Sequence, residues 1–385
     1  MTSEWRTICT ADFIDFNPRL SLKKGAIATK VAMDKLKPFS KKISETEKAE
    51  FNGGAKFCNG DTIMARITPC LENGKTAYVD MLDDGEFGFG STEFIVMRAK
   101  VGISDPQFVY YTAISPTFRN VAIKSMVGSS GRQRVQQSVL EELELSVPDL
   151  DEQRRIGAFL AGLDEKIALN NRINDNLQQQ AAALFSSLYD QSNTEVRFTD
   201  LIQILGGGTP KTGENTYWNG NIAFFTPKDV GAPYTLITEK TITEEGLSHC
   251  NSRLYPVNTV FVTARGTVGK VGMSGVPMAM NQSCYALAGK ETHQLLVYFY
   301  TLKAVDRLKH KASGAVFDAI TTRDFESEQI MKLSDDDAKA FLRVAEPMFQ
   351  EVLNNNIENL RLSTLRDSLL PKLMSGEVDV SAVQL

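Results

Sequence analysis

The sequence predicts an α/β (α+β) chain with two globular domains in tandem repeat and two long helices that form an antiparallel coiled coil with pseudo-twofold symmetry. The main observation is a helical apolar seam in the middle of the chain that recurs 185 residues later, Ile156 corresponding to Phe341. A second observation is that similar strand-like segments precede each copy in the same order. The 385 residues are enough for two or more domains with their own cores.

The strand-like segments open each copy. "GDTIMARITPCLENGKTAYV" and "NTVFVTARGTVGKVGMS" each contain a β-rich run that ends in Ala-Arg, at Ala65–Arg66 and Ala264–Arg265, and is followed by Gly-Lys. Each is followed by a further strand-like run, "STEFIVMRAK" or "NQSCYALAGK", and then by an amphipathic segment. Such runs followed by helical periodicity predict a mixed domain in each copy. We expect the first domain at 1–147, a spacer helix at 148–190, the second domain at 191–333, and the C-terminal helix and tail at 334–385.

The long helices are predicted from seam positions that alternate in steps of four and three residues. The seam of the first copy comprises Ile156, Leu160, Leu163, Ile167, Asn170, Asn174, Leu177, Ala181, Leu184 and Leu188. The seam of the second copy comprises Phe341, Ala345, Met348, Val352, Asn355, Asn359, Leu362, Arg366, Leu369 and Leu373. This spacing favours a coiled coil over the alternative of two separate helices that each cap their own domain.

The ends and interruptions of the two helices also match. Asp149 with Glu152, and Ser334 with Asp337, form cap-like starts. Gly162 and Pro347 are equivalent poor helix residues, so we expect a kink at each.

Four asparagines are predicted to set the register of the coiled coil. Antiparallel pairing about the seam midpoints places Asn170 opposite Asn359 and Asn174 opposite Asn355. Slipped registers would place amides against leucines, so a polar layer fixes alignment at some cost in stability.

Composition and charge limit the classes of function that this chain can have. The formal net charge is −5, yet the segment Arg19–Lys42 contains eight basic residues and one acidic residue, and Phe118–Arg134 contains four basic residues and none that is acidic. This distribution predicts a basic concave face on an acidic chain. Five scattered cysteines, no apolar run of 18 residues and no signal-like N-terminus predict a cytoplasmic protein without disulfides or a membrane span.

No complete catalytic motif is found. "GGGTPKT" has Pro210 where a phosphate-binding loop requires glycine, and the carboxylates of "PDLDEQRRIGAFLAGLDEK" lie along a helix rather than at adjacent strand ends. We therefore predict no catalytic residues, no metal site and no cofactor in this chain. A free-standing nuclease or methylase remains a third possibility, to be tested by cofactor binding.

Several of these segments together resemble one known family. "FNPRLSLKKG", "FCNGDTIMARITPCLENGKTAYV", "GGGTPKTGENTYWNGNIAFFTPKDV", "PDLDEQRRIGAFLAGLDEKIALNNRINDNL" and "LRDSLLPKLMSGEVDV" are similar to the specificity subunit of type I restriction-modification systems. The resemblance implies a non-catalytic DNA-binding subunit with two target-recognition domains, each of which reads half of an asymmetric, bipartite site on double-stranded DNA. It also implies helices that dock two methyltransferase (modification) subunits, and further restriction subunits. S-adenosylmethionine, ATP and Mg²⁺ are expected on those partners. The alternative is a coiled-coil scaffold that binds only proteins.

Basic residues in the two domains are the candidates for DNA contacts, with phosphates held by the basic segments and base edges by a few loop side chains. Arg66 and Arg265 are favoured because they end matched strand-like runs, although a structural ion pair would also explain each. Trp218 is predicted to anchor a loop rather than to stack on DNA. The candidates are Arg19, Lys23, Lys24, Arg66, Lys75, Arg132 and Arg134 in the first domain, and Lys211, Lys228, Arg265, Lys270, Lys309 and Lys311 in the second.

Overall fold

A computed structural model describes residues 5–43, 45–129, 131–231, 233–311 and 319–380. The chain divides into two compact units, which we call unit 1 (residues 1–169 and 359–385) and unit 2 (residues 170–358). Each unit contains one globular region and one half of each long helix.

Unit 1 is built from ten strands and four short helices. The strands are β1 (Arg6–Cys9), β2 (Ile14–Phe16), β3 (Ile27–Val31), β4 (Glu47–Glu50), β5 (Lys56–Phe57), β6 (Thr62–Ala65), β7 (Thr76–Tyr78), β8 (Gly88–Gly90), β9 (Phe94–Ala99) and β10 (Glu144–Val147). The helices are α1 (Thr10–Phe13), α2 (Pro106–Ile114), α3 (Pro116–Lys124) and α4 (Gln137–Glu141). The strands form an antiparallel sheet in the order β2-β9-β6-β7, a mixed sheet β4-β3-β8-β5 and the pair β1-β10.

The predicted amphipathic segment of unit 1 forms two helices rather than one. The Ser115 hydroxyl accepts a hydrogen bond from the Phe118 backbone N–H and so caps α3, whose first residue is Pro116. Proline fits the first turn of a helix but cannot donate the hydrogen bond that would continue α2. Helix α2 is buried almost all round, and its Phe108 and Tyr111 share one core with the long helices.

The described residues of unit 2 form ten strands and four helices besides its share of the long ones. The strands are β11 (Thr194–Arg197), β12 (Ile202–Gly206), β13 (Trp218–Phe225), β14 (Tyr234–Thr235), β15 (Lys240–Ile242), β16 (Val260–Thr263), β17 (Val271–Ser274), β18 (Met278–Met280), β19 (Cys284–Gly289) and β20 (Gln329–Lys332). The helices are α6 (Phe198–Leu201), α7 (Glu244–Ser248), α8 (Gln294–Lys311) and α9 (Thr322–Ser327). The sheets are β12-β19-β16-β17-β14, β15-β13-β18 and β11-β20.

The strand orders confirm the internal duplication. The order β2-β9-β6-β7 in unit 1 recurs as β12-β19-β16-β17 in unit 2, where β14 adds a fifth strand. The two Gly-Lys pairs also coincide, because Gly74 and Gly269 both adopt positive φ and the carbonyls of the lysines that follow accept equivalent bonds from the ends of β6 and β16.

The match between Arg66 and Arg265 is wrong by one residue. The N–H of Arg66 donates to the carbonyl of Glu93, and in unit 2 the carbonyl of Ser283 accepts from Ala264 at 2.8 Å and from Arg265 at 3.2 Å. The bonds from Val135 to the Arg66 carbonyl and from Ile320 to the Ala264 carbonyl match Arg66 with Ala264. Arg265 therefore occupies the position of Ile67 in unit 1, and each of these two residues forms a bridge to the segment that follows the helices. Because neighbouring residues of an extended chain point to opposite faces, the two arginines are not equivalent.

Two long helices complete the fold. They are α5 (Leu150–Gln191) and α10 (Asp335–Ser375), and the predicted caps are confirmed by bonds from the N–H of Glu152 to the Asp149 carboxylate and from the N–H of Asp337 to the Ser334 hydroxyl. Each helix runs unbroken through the positions of the expected kinks, Gly162 and Pro347.

The helix halves pair antiparallel within each unit. In unit 2, Asn355 Nδ2 donates to Asn174 Oδ1 at 2.9 Å, which confirms that pair, and Asn170 Nδ2 donates to Glu358 Oε2 at 2.6 Å. Asn359 belongs to unit 1, so its pairing with Asn170 remains a prediction.

Arg366, which interrupts the apolar seam, forms a buried ion pair within unit 1. Its guanidinium pairs with the Asp164 carboxylate, and both side chains are about nine-tenths buried. The Tyr111 hydroxyl also donates to Asp164, and the buried Lys41 amine donates to the Tyr111 hydroxyl at 3.3 Å. A charge in the seam is therefore matched by an opposite charge on the other helix.

Candidate nucleic-acid interface

An open groove in unit 1 brings together two of the predicted DNA-binding residues, Arg19 and Arg66. Its walls are the segment that follows β2, the segment that leads into β5, the end of β6 and the turn before β9. Lys56 and Thr92 also line it. A concave surface with several positive side chains and a hydroxyl can hold both phosphate oxygens and base edges.

The Arg66 guanidinium is half-buried in this groove and only partly paired. One Nη donates to the Val135 carbonyl at 3.3 Å, whereas the buried Nε has no hydrogen-bond partner among the residues that the structure describes. The Glu93 carboxylate forms a two-point pair with Arg134, at 2.6–3.0 Å. The hydrogen bonds and charge of Arg134, together with the charge of Arg66, lower the pKa of Glu93. Glu93 therefore stays ionised, and its carboxylate keeps the positive charge of Arg134 beside the groove.

The remaining unit 1 candidates are distributed differently. Lys75 donates from its amine to the Met33 carbonyl at 2.9 Å, so it braces a loop of its own domain. Lys23, Lys24 and Arg132 are exposed.

The basic segment Arg19–Lys42 carries less free charge than its composition indicates. Three of its lysines form ion pairs and a fourth, Lys41, is buried among tyrosine rings. The pairs are Lys30 with Glu47, Lys35 with Glu45, and Lys42 with Asp80.

In unit 2, the loop after β16 gathers four of the predicted residues in two groups. Thr267, two residues after Arg265, donates to the carbonyl of Pro227, the neighbour of Lys228, at 3.2 Å. The Lys309 side chain lies against Gly269, the neighbour of Lys270. Arg265, Lys270 and Lys309 are exposed, and Lys228 makes an exposed ion pair with Glu239 at 3.5 Å.

Two unit 2 candidates have structural contacts. Lys311 pairs with Glu328, a fully buried carboxylate that also forms an ion pair with Arg307, at 2.8 Å. Lys211 is exposed, and its carbonyl accepts a hydrogen bond from the Trp218 indole at 3.2 Å. Trp218 packs edge-on against Phe224, as expected of a loop anchor.

Sequence reasoning missed Lys56, Glu93 and Gln282. Lys56 follows the glycine pair of "FNGGAKF", a turn signal that could have placed it near the basic loop. Glu93 and Gln282 occupy the turns before β9 and β19, and their roles depend on contacts with residues distant in sequence.

Neither a metal site nor a membrane span is evident in the part of the chain that the structure describes. No three His, Cys, Asp or Glu side chains there come close enough together to hold a metal ion. No helix in the same residues is long and apolar enough to cross a bilayer. All five cysteines are free thiols.

Comparison with known proteins decides the family. The family model described as the type I restriction modification DNA specificity domain matches residues 3–179 and again 191–332. The chain belongs to this family. It carries two specificity domains in tandem, and it is a DNA-recognition subunit rather than an enzyme.

Individual relatives agree with this assignment. The chain is 23% identical to the type I restriction enzyme HindI specificity subunit of Haemophilus influenzae, over 83% of this chain and 86% of that protein. It is 33% identical to the EcoAI specificity subunit of Escherichia coli over 37% of this chain and 25% of that one. The crystal structure of a type I restriction-modification S subunit from M. genitalium has the same fold, with a TM-score of 0.61, 16% identity and 96% of both chains covered.

Proposed function

We propose that residues 1–147 and 191–333 each read one half of an asymmetric, bipartite DNA site. The observation that supports this most directly is the repeated strand order, because two copies of one scaffold provide two readers. The side chains at equivalent positions differ, as Arg66 and Ala264 do, so the two readers recognise different sequences. Two unlike readers in one chain require a split and asymmetric site.

In this proposal the exposed basic residues contact phosphates, and the half-buried basic residues contact base edges. Exposed, flexible lysines such as Lys23, Lys24 and Lys270 suit phosphate oxygens, which fix position without reading sequence. Half-buried groups with unused donors, of which Arg66 is the clearest, suit base edges because the protein holds them in one orientation.

The helices α5 and α10 are the proposed dock for two modification subunits, with restriction subunits added to the same complex. S-adenosylmethionine, ATP and Mg²⁺ are then bound by those partners, and the complex works in the cytoplasm. A scaffold that binds only proteins is disfavoured, because both globular regions match a DNA specificity model.

The proposal is tested by mapping methylated adenines in DNA from cells that carry this chain with its partner subunits. We expect one motif with two specified blocks separated by a run of unspecified base pairs. A control strain that lacks this chain should show no such motif. A single continuous block would contradict the assignment of one half-site to each domain.

A further inference from the structure

The two units differ in charge at the position where their scaffolds coincide most closely. In unit 1 the residue after β6 is Arg66, and in unit 2 the residue that makes the same backbone bond is Ala264. The residue that accepts this bond is Glu93 in unit 1 and Ser283 in unit 2. Arg134, which pairs with Glu93, is matched in unit 2 by Ala319, because each makes the bridge to the residue after Arg66 or Ala264.

An entire guanidinium–carboxylate layer is therefore present in unit 1 and absent at the equivalent positions of unit 2. In its place, unit 2 presents the exposed amide of Gln282, whose Oε1 accepts from the Thr209 hydroxyl. The glycine loop before Thr209 packs closely, since a Cβ on Gly207 would collide with the carbonyls of Met280 and Asn281. A main chain this close to the sheet leaves no room for any side chain at Gly207.

The donor pattern of Arg66 fits one base better than the others. A guanidinium offers parallel N–H donors, and guanine presents two adjacent acceptors, O6 and N7, in the major groove. Adenine presents a donor next to its N7, so it would oppose one of the two N–H groups. The Nε of Arg66 is buried, and among the described residues the two Nη atoms make one hydrogen bond, to the Val135 carbonyl, so Nη donors remain for a base.

Glu93 has a positioning role in this arrangement. Its carboxylate is held by two points of Arg134 and lies close enough to Arg66 to attract it. This attraction restrains the guanidinium.

We propose that Arg66 reads a guanine in the half-site bound by unit 1, and that unit 2 makes no equivalent guanidinium contact. This inference rests on the proposed function, since it assumes that each unit reads one half-site. It adds the chemistry of the contact and an asymmetry between the units.

The test uses the full chain with its modification subunits and the site obtained by methylation mapping. Each guanine of the unit 1 half-site is replaced in turn by 7-deazaguanine, which lacks the N7 acceptor, and binding is measured at fixed salt. At one guanine we expect wild-type binding to weaken about 5-fold to 150-fold, because loss of the N7 acceptor leaves one guanidinium N–H without a partner while O6 is kept. Arg66→Ala should bind the normal and the 7-deaza duplexes equally.

Control variants separate base reading from folding and from charge. Arg66→Lys keeps the positive charge and should discriminate less than wild type, because an ammonium does not match the two adjacent acceptors as the planar guanidinium does. An Arg66 variant is shown to be folded if it still binds the correct unit 2 half-site more tightly than an altered one.

Two results would overturn the inference while leaving the proposed function intact. One is a bipartite site in which no guanine of the unit 1 half responds to 7-deaza substitution. The other is an Arg66→Ala variant that still distinguishes the two duplexes. Absence of any bipartite motif would instead contradict the proposed function itself.

Discussion

Asp164→Ala should destabilise unit 1, because it removes one partner of the buried ion pair with Arg366. The Asp164 and Arg366 side chains are 8% and 11% exposed. Burial lowers the pKa of Arg366, but the charges and hydrogen bonds of Asp164 and Asp367 raise it on balance, so the guanidinium stays charged. Removing one partner of a buried pair leaves a charge without compensation, which costs about 3–5 kcal/mol. The Tyr111 hydroxyl also loses its acceptor.

The two tryptophans allow the unfolding of each unit to be measured separately. Trp5 lies in unit 1, where it packs on Gly376, and Trp218 lies in unit 2. In a Trp218→Phe background, urea unfolding followed by fluorescence reports unit 1 alone. We expect Asp164→Ala to lower its free energy of unfolding by about 3–5 kcal/mol.

A matched variant shows whether burial is the cause. Asp367 also pairs with Arg366, at 2.8 Å, but it is 65% exposed. Asp367→Ala should cost no more than about 1 kcal/mol. The reasoning is refuted if the two variants cost the same, or if Asp164→Ala costs less than about 1 kcal/mol.

Two further predictions concern stability. Asn174→Leu should lower the unfolding free energy of unit 2 by about 1–3 kcal/mol, because the buried Asn355 amide loses its acceptor, and urea unfolding in a Trp5→Phe background measures this; an unchanged midpoint would contradict it. Hydrogen bonds from Lys48 and then Thr29 lower the pKa of Glu86 from 4.5 to about 2, so its contribution is complete above pH 4.5 and is lost as the pH falls towards 2. Glu86→Gln should therefore lose less stability than wild type across this interval in acid titration, and equal losses would disprove the role of Glu86.

The helix pairing could be predicted from sequence because seam periodicity and position are local properties. The repeat aligned α5 with α10 and placed Asn174 opposite Asn355, as observed. Ser115 followed by Pro116 is also a signal for the start of a new helix, and it accounts for the division of the predicted amphipathic segment into α2 and α3.

The candidate site was less predictable, because its geometry depends on contacts distant in sequence. The Ala-Arg motifs align in the sequence, but backbone bonding pairs Arg66 with Ala264, and a shift of one residue reverses the face of a strand. The lysines of the basic segment are neutralised by acids such as Glu45 and Asp80, which the composition of the segment does not reveal. Runs of basic residues therefore indicate which domain carries the candidate site. Contacts made in the folded chain decide which of those residues line it.

Exchange of residues 1–147 for the corresponding segment of a relative with different specificity tests the central claim most directly. Methylated adenines are mapped in cells carrying the hybrid chain with its partner subunits, beside cells carrying the unaltered chain. We predict that one block of the bipartite motif changes and the other, read by residues 191–333, is unchanged. A motif in which both blocks change would contradict the claim that each domain reads its own half of the site.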